Sequence, residues 1–254
     1  MDNSNNVNPY INTIPKSLYD YNSQFNELEY KRFTELMIAS NVMFVNKTPI
    51  TSQVQSVEDF MYAIDVQRIN DIKNCVKLLK GLAVFRQQCD HDQLILIKYG
   101  ALEIHTLRSI SYYDYQNEAF NIAIDENNTT VLQLTLLKQF GCDLYNNFKL
   151  FLNSLYRLYD MDDNILNLIT VIILFNPNRP NLKHQETIKL EQKVYMHLLK
   201  RYLTMKYQND CESSKRYLQL INTLLDLNFY DKRYKESSMS RPTLPALIHE
   251  IIVE

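Results

Sequence analysis

The sequence predicts an all-α fold built around one helix buried on every side, with a single small β-hairpin. Three observations carry that prediction. Apolar residues recur at helical spacing through most of the chain. Only three glycines, Gly81, Gly100 and Gly141, occur in 254 residues, so a sheet-rich or phosphate-loop fold is hard to write, whereas helix-forming Leu, Lys, Glu and Gln are abundant. The run 165–175 is apolar except for Asn167 and Thr170 and falls short of the roughly 20 residues a bilayer requires, so it reads as an interior helix. With 46% hydrophobic residues, the chain can bury a sizeable core.

Each element follows in order. Residues 1–22, rich in Asn, Ser and Tyr with Pro9 and Pro15, lack sustained apolar periodicity and read as a tail or hinge. A helix is predicted over 25–45 from Leu28, Phe33, Leu36, Met37 and Val42, with Pro49 at or just beyond its end. A long helix over 57–82 follows from Ile64, Ile69, Ile72, Val76 and Leu79. Asp90 and Gln93 suggest a capping box that starts the next helix, and 94–108 continues it as an apolar stretch into which Lys98 and Glu103 are inserted. This helix pair is expected to run through the centre. Alternation at Phe120-Asn121-Ile122-Ala123-Ile124 predicts the hairpin. Helices are then expected over 131–139, 144–159, 164–175, 186–207 and 213–234. Asn176-Pro177-Asn178-Arg179-Pro180 breaks two of them apart, and Arg241-Pro242-Thr243-Leu244-Pro245 precedes a final short helix.

A formal charge of −2 supplies no basic field for nucleic acid, which leaves proteins or apolar molecules as partners. Cys75, Cys89, Cys142 and Cys211 stand singly, which suits a reducing compartment; no secretory segment opens the chain. Cys89-Asp90-His91-Asp92 looks superficially like a metal cluster. Neighbouring ligands usually need distant ones to complete a site, and a helix cap at Asp90 accounts for much of the pattern, so no metal is expected. Serine elbows, zincin motifs and Gly-rich phosphate loops are missing, and no enzyme is expected.

Leu79-Lys80-Gly81-Leu82-Ala83-Val84-Phe85, then Asp92-Gln93-Leu94-Ile95-Leu96-Ile97-Lys98 and Glu103-Ile104-His105-Thr106-Leu107-Arg108, resemble the signature of nuclear-receptor ligand-binding domains. Leu247-Ile248-His249-Glu250-Ile251-Ile252 is similar to their C-terminal activation helix. The resemblance runs from about residue 25 to the C-terminus. It is nearest to the branch of the vitamin D, oxysterol, ecdysone and nematode dafachronic-acid receptors, through Arg108 followed by Tyr112-Tyr113-Asp114 and through Asn178-Arg179-Pro180. The family usually has Pro where Ala83 stands and an aromatic-Ala pair where Leu78-Leu79 stand. The resemblance implies a three-layer antiparallel sandwich of about a dozen helices, with the domain over 23–254 and the activation helix over 245–253.

It also implies function. The chain is expected to be the ligand-binding and transactivation domain of a ligand-dependent transcription factor in the nucleus, with no cofactor and a sterol or bile-acid-like steroid as hormone. Gln67, Arg68, Asp71 and Cys75, then His105, Thr106, Arg108 and Ser109, and finally Tyr234 match ligand-lining positions. His105, Arg108, Ser109 and Tyr112 also share one helical face. Burying about 400 Å² of sterol would supply roughly 10 kcal/mol before ordering costs. Lys80, Lys98 and Glu250 match the charge clamp for a Leu-x-x-Leu-Leu coactivator helix, whose free amides need a carboxylate and whose free carbonyls need a cation. Val76, Leu94, Ile97 and Leu247 would floor the groove. Glu103 and Arg179 match a buried ion pair. Heterodimerisation with a retinoid X receptor is implied through the last two long helices, along Leu218, Ile221, Leu225 and Phe229. DNA would be read by a zinc-finger domain outside this chain, and no membrane is involved. The rival reading is an orphan receptor or helical interaction module whose pocket is filled by side chains.

Overall fold

The computed structural model describes residues 25–44, 48–238 and 245–247; the tail expected over 1–22 and most of the activation helix lie outside them. The elements are α1 (Glu27–Ser40), β1 (Ile50–Gln53), α2 (Val57–Gly81), α3 (Ala83–Arg86), α4 (Asp90–Arg108), β2 (Tyr113–Asp114), β3 (Ala119–Ala123), β4 (Thr129–Gln133), α5 (Cys142–Tyr159), α6 (Asp163–Leu174), α7 (Gln185–Tyr207) and α8 (Asp210–Ser238). Short 3-10 turns cover Asn41–Met43, Ser109–Tyr112 and Leu134–Phe140. The expected all-α class holds, with one small sheet.

Layering follows from which faces are apolar. Every residue from Ile165 to Leu174 in α6 is buried, so α6 needs partners all round; it packs on α1, α4 and α7. In turn, α4 lies between α2 and α8. Thus α4 and α6 form a middle layer, with α1 and α2 on one side and α7 and α8 on the other.

Local chemistry sets the helix starts. Asn26 and Glu29 form a reciprocal capping box at α1, and Ser56 Oγ accepts the Asp59 amide at α2. The capping box expected at Asp90 does not form. Cys89 is the extended residue before α4, Asp90 lies in the first turn, and the Gln93 side chain donates instead through Nε2 to Gln88 O at 2.8 Å. Asp92 is wholly buried and caps a different helix: its carboxylate accepts from the Lys183 and His184 amides at 2.7 and 2.9 Å, just ahead of α7. Burial alone would raise the Asp92 carboxyl, but these amides and the His184 ring outweigh it and hold it below the carboxylate range.

The expected hairpin exists as β3 and β4, turned by Asp125, whose Oδ1 accepts the Asn127 and Asn128 amides. It is part of a larger sheet of order β1-β4-β3-β2, in which β1 joins β4 in parallel. The helix expected over 131–139 is therefore corrected to the end of β4 followed by a 3-10 turn. Gly141 leaves that turn at φ 123°, a conformation suited to glycine, and α5 begins immediately after it.

Gly81 permits a close helix crossing. A Cβ added there would stand 2.7 Å from Ala39 Cβ on α1. Gly81→Ala is expected to cost about 1–3 kcal/mol through overpacking, read by urea unfolding, with partial recovery in the Gly81→Ala/Ala39→Gly double variant.

Candidate functional site

A cavity of about 130 Å³ lies between α2, α4, β3 and α5. Phe60, Met61, Ile64 and Arg68 line it from α2, and His105, Thr106, Ser109 and Tyr112 from the end of α4 and the turn after it. Phe120 of β3, Leu137 and Phe140 of the 3-10 turn, Leu144 and Phe148 of α5, and Tyr230 of α8 complete an apolar wall. One pole is therefore polar and the rest apolar, the usual layout of a small-molecule site.

The polar pole is fixed by Asp71. Its carboxylate accepts His105 Nδ1–H at 2.6 Å, the Tyr112 hydroxyl at 3.1 Å and the Gln67 amide at 2.8 Å. The His105 ring is 6% exposed. With Nδ1 carrying the proton, Nε2 is left as an acceptor, and no protein partner for it exists among the described residues. Arg68 Nη1 donates to the buried Asp65 at 2.9 Å. Ser109 donates to Thr106 O at 2.7 Å, which leaves its oxygen able to accept.

Burial and the Arg68 guanidinium hold His105 below histidine's ordinary 6.5, against the pull of Asp71. The unfolded chain therefore takes up a proton first, and stability present above about 6.5 is lost as pH falls towards the folded value. Melting temperature is expected to drop from pH 7 to pH 5, with a shallower drop in His105→Gln. Parallel curves would remove His105 as the cause.

Other residues matched to the pocket sit elsewhere. Gln67 and Asp71 stand behind the lining, supporting His105. Cys75 is in the core, where burial pushes its thiol up to about 12. Arg108 turns to α6, donating to Asn167 Oδ1 at 3.0 Å and Thr170 Oγ1 at 3.2 Å, while Asn167 donates on to Ser40 of α1. At 100° per residue, Arg108 falls about 110° from the middle of the face formed by His105, Thr106 and Ser109, so it joins three helices away from the cavity. Tyr234 belongs to α8, but its side chain lies outside the described residues. The apolar lining was missed in the sequence, although Phe60, Ile64 and Arg68 carry a signal at i, i+4 and i+8.

A second feature runs along the α2–α4 surface. Ile72, Val76 and Lys80 are spaced by four on α2, a span of about 12 Å. Leu94, Ile97 and Ala101 share one face of α4, and Ala101 packs with Ile72. Leu94 is 60% exposed, Val76, Ile97 and Lys98 are half-buried, and Lys80 is exposed. Leu247 packs against Ile72, Ala101 and Leu102 at one end, and residues 246–247 are helical. Glu250 lies outside the described residues. Arg179 and Glu103 form the expected bidentate pair, both nearly buried.

The chain is 28% identical over 242 residues to the fruit-fly (Drosophila melanogaster) nuclear hormone receptor HR96, covering 90% of this chain and 33% of that protein. It is 26% identical to zebrafish (Danio rerio) nuclear receptor ROR-alpha B over 78% of this chain and 40% of that protein. It is 25% identical to bullfrog (Aquarana catesbeiana) thyroid hormone receptor beta over 54% and 36%. All of these relatives are nuclear receptors, and the helical fold with its small sheet is compatible with their ligand-binding domain. No family model matches it. Each relative is named as a receptor, in accord with the expectation that the domain is not an enzyme. The domain spans only about a third to two-fifths of these relatives' length. None of its described helices is long and apolar enough to cross a membrane.

Proposed function

We propose that this domain is the hormone-binding and transactivation unit of a nuclear, ligand-dependent transcription factor of the vitamin D, oxysterol, ecdysone and dafachronic-acid branch. The observation that carries the reading is His105: a buried imidazole at the polar pole of a largely apolar cavity, with its outer nitrogen lacking a protein partner among the described residues. A hydroxyl on a lipophilic ligand would donate to this acceptor. The cavity is small beside the roughly 300–1,000 Å³ of drug-sized sites. A sterol would therefore enter by pushing out Leu137, Phe140, Leu144 and Phe148, all only partly buried. The same small volume favours the second reading, an orphan domain with a pocket filled by its own aromatic residues.

Thermal shift separates the two, because only a binder gains RT ln(1 + [L]/Kd). A hydroxylated sterol is expected to raise the melting temperature of the wild type, its methyl ether less so, and neither to stabilise His105→Phe. No shift with sterols or with compact alkylphenols would favour the filled pocket.

Coupling to a coactivator follows from shared helices. Leu247 rests on Ile72 and Ala101, each four residues from a polar-pole residue, Arg68 or His105. A ligand that tightens the pole would favour the docked C-terminus through its differential affinity for the two states. Lys80 and Glu250 would then clamp a Leu-x-x-Leu-Leu helix over Val76, Leu94, Ile97 and Leu247, with Lys98 as a second cation. Exposed Leu218 and Leu225, 60% and 71% accessible and one heptad apart on α8, suit a retinoid X receptor as dimer partner.

A further inference from the structure

The tetrapeptide Cys89-Asp90-His91-Asp92 lacks a distant ligand in the sequence, and the fold supplies one. His184, from the loop ahead of α7, places Nδ1 3.6 Å from Cys89 Sγ and 2.9 Å from Asp92 Oδ2. The three donor atoms all lie within 4.8 Å of one another. From the geometry we infer that Cys89, Asp92 and His184 form a binding site for a zinc-like divalent cation, clipping the start of α4 to the segment that leads into α7.

Thiolate, imidazole and carboxylate are the donors a borderline-soft tetrahedral ion takes. Zinc–sulfur and zinc–nitrogen bonds of about 2.3 and 2.0–2.1 Å subtend about 3.6 Å at the tetrahedral angle, which is the sulfur–nitrogen separation found. The nitrogen–oxygen pair needs about 3.4 Å on the same basis, so the imidazole and carboxylate must part by half an ångström as the ion replaces the proton they share. Asp92 is already oriented by the Lys183 and His184 amides, the outer-shell support that ligating carboxylates usually have. His184 is the outermost donor, its side chain 56% exposed, and Cys89 is half-buried; a solvent molecule can fill the fourth position. Binding releases the Cys89 thiol proton to solvent, while the proton on His184 Nδ1 moves to Nε2 so that the ring binds as a neutral imidazole, with no redox change.

The test uses reduced, tag-free protein titrated with cobalt(II) and then with zinc. One equivalent is expected to bind, with a thiolate-to-cobalt charge-transfer band in the near ultraviolet that zinc bleaches. Cys89→Ser and His184→Gln change exposed or half-exposed side chains and leave the Asp92 cap in place. Each is expected to weaken zinc by more than the about 10–100-fold seen when outer-shell partners are removed, and Cys89→Ser to abolish the band. Zinc should raise the melting temperature of the wild type but of neither variant. Absence of stoichiometric binding, or binding that survives either substitution undiminished, would overturn the site.

Discussion

Arg179→Met is expected to destabilise the domain by about 3–5 kcal/mol, because it strands the Glu103 carboxylate in the interior. Glu103 is 5% exposed and takes both terminal nitrogens of Arg179, one at 2.9 Å, while Arg179 also reaches Ile173 O at 3.3 Å. The pair thus fastens α4 in the middle layer to the loop after α6. For a domain of this size the loss corresponds to roughly 10 °C in melting temperature. The double variant Glu103→Leu/Arg179→Met should recover most of it, since replacing both partners with apolar groups removes the desolvation cost as well as the attraction. Equal losses in the single and double variants would show that packing, not charge, holds this junction.

The second large effect concerns partner binding. Lys80→Ala and Glu250→Ala are each expected to lower affinity for a Leu-x-x-Leu-Leu peptide about 10–100-fold, the value of a lost charge-assisted hydrogen bond at about 1.5–3 kcal/mol. Fluorescence anisotropy with a labelled peptide reads this directly, and ligand-induced thermal shift should stay unchanged. Lys80 sits at the exposed end of α2, and its own carbonyl is held by Arg86 at 2.7 Å, which steadies the turn that would carry the cation. Peptide affinity unaffected by both substitutions would remove the clamp.

What the sequence disclosed depended on whether the signal was local. Ten consecutive buried residues make α6 legible at once, and the period of α2 is nearly as clear. β1 was invisible because all four of its residues are exposed, which leaves no alternation to read. Val131, Leu132, Leu134 and Leu137 fit a short helix as well as the strand and 3-10 turn they adopt; pairing with β3 decides between them. The capping role of Asp92 was hidden because its partners, the amides of Lys183 and His184, lie some ninety residues away. The cavity behaves similarly. Residues at its polar pole could be matched along one helix end, but Leu137, Phe140, Leu144, Phe148 and Tyr230 meet only through packing. Arg108 shows the opposite error: a shared helical face suggested a ligand contact, but its place on the helix, about 110° from the cavity-lining residues, turns it to Asn167 and Thr170 instead.

The central claim, that occupancy of the His105 cavity governs the groove beneath Leu247, is tested most directly by one comparison. Leu-x-x-Leu-Leu peptide affinity is measured by anisotropy for protein stripped of lipid and for protein saturated with a stabilising hydroxylated sterol. The account predicts at least a tenfold tightening on saturation, abolished in His105→Phe. Equal affinity in the two states would contradict it.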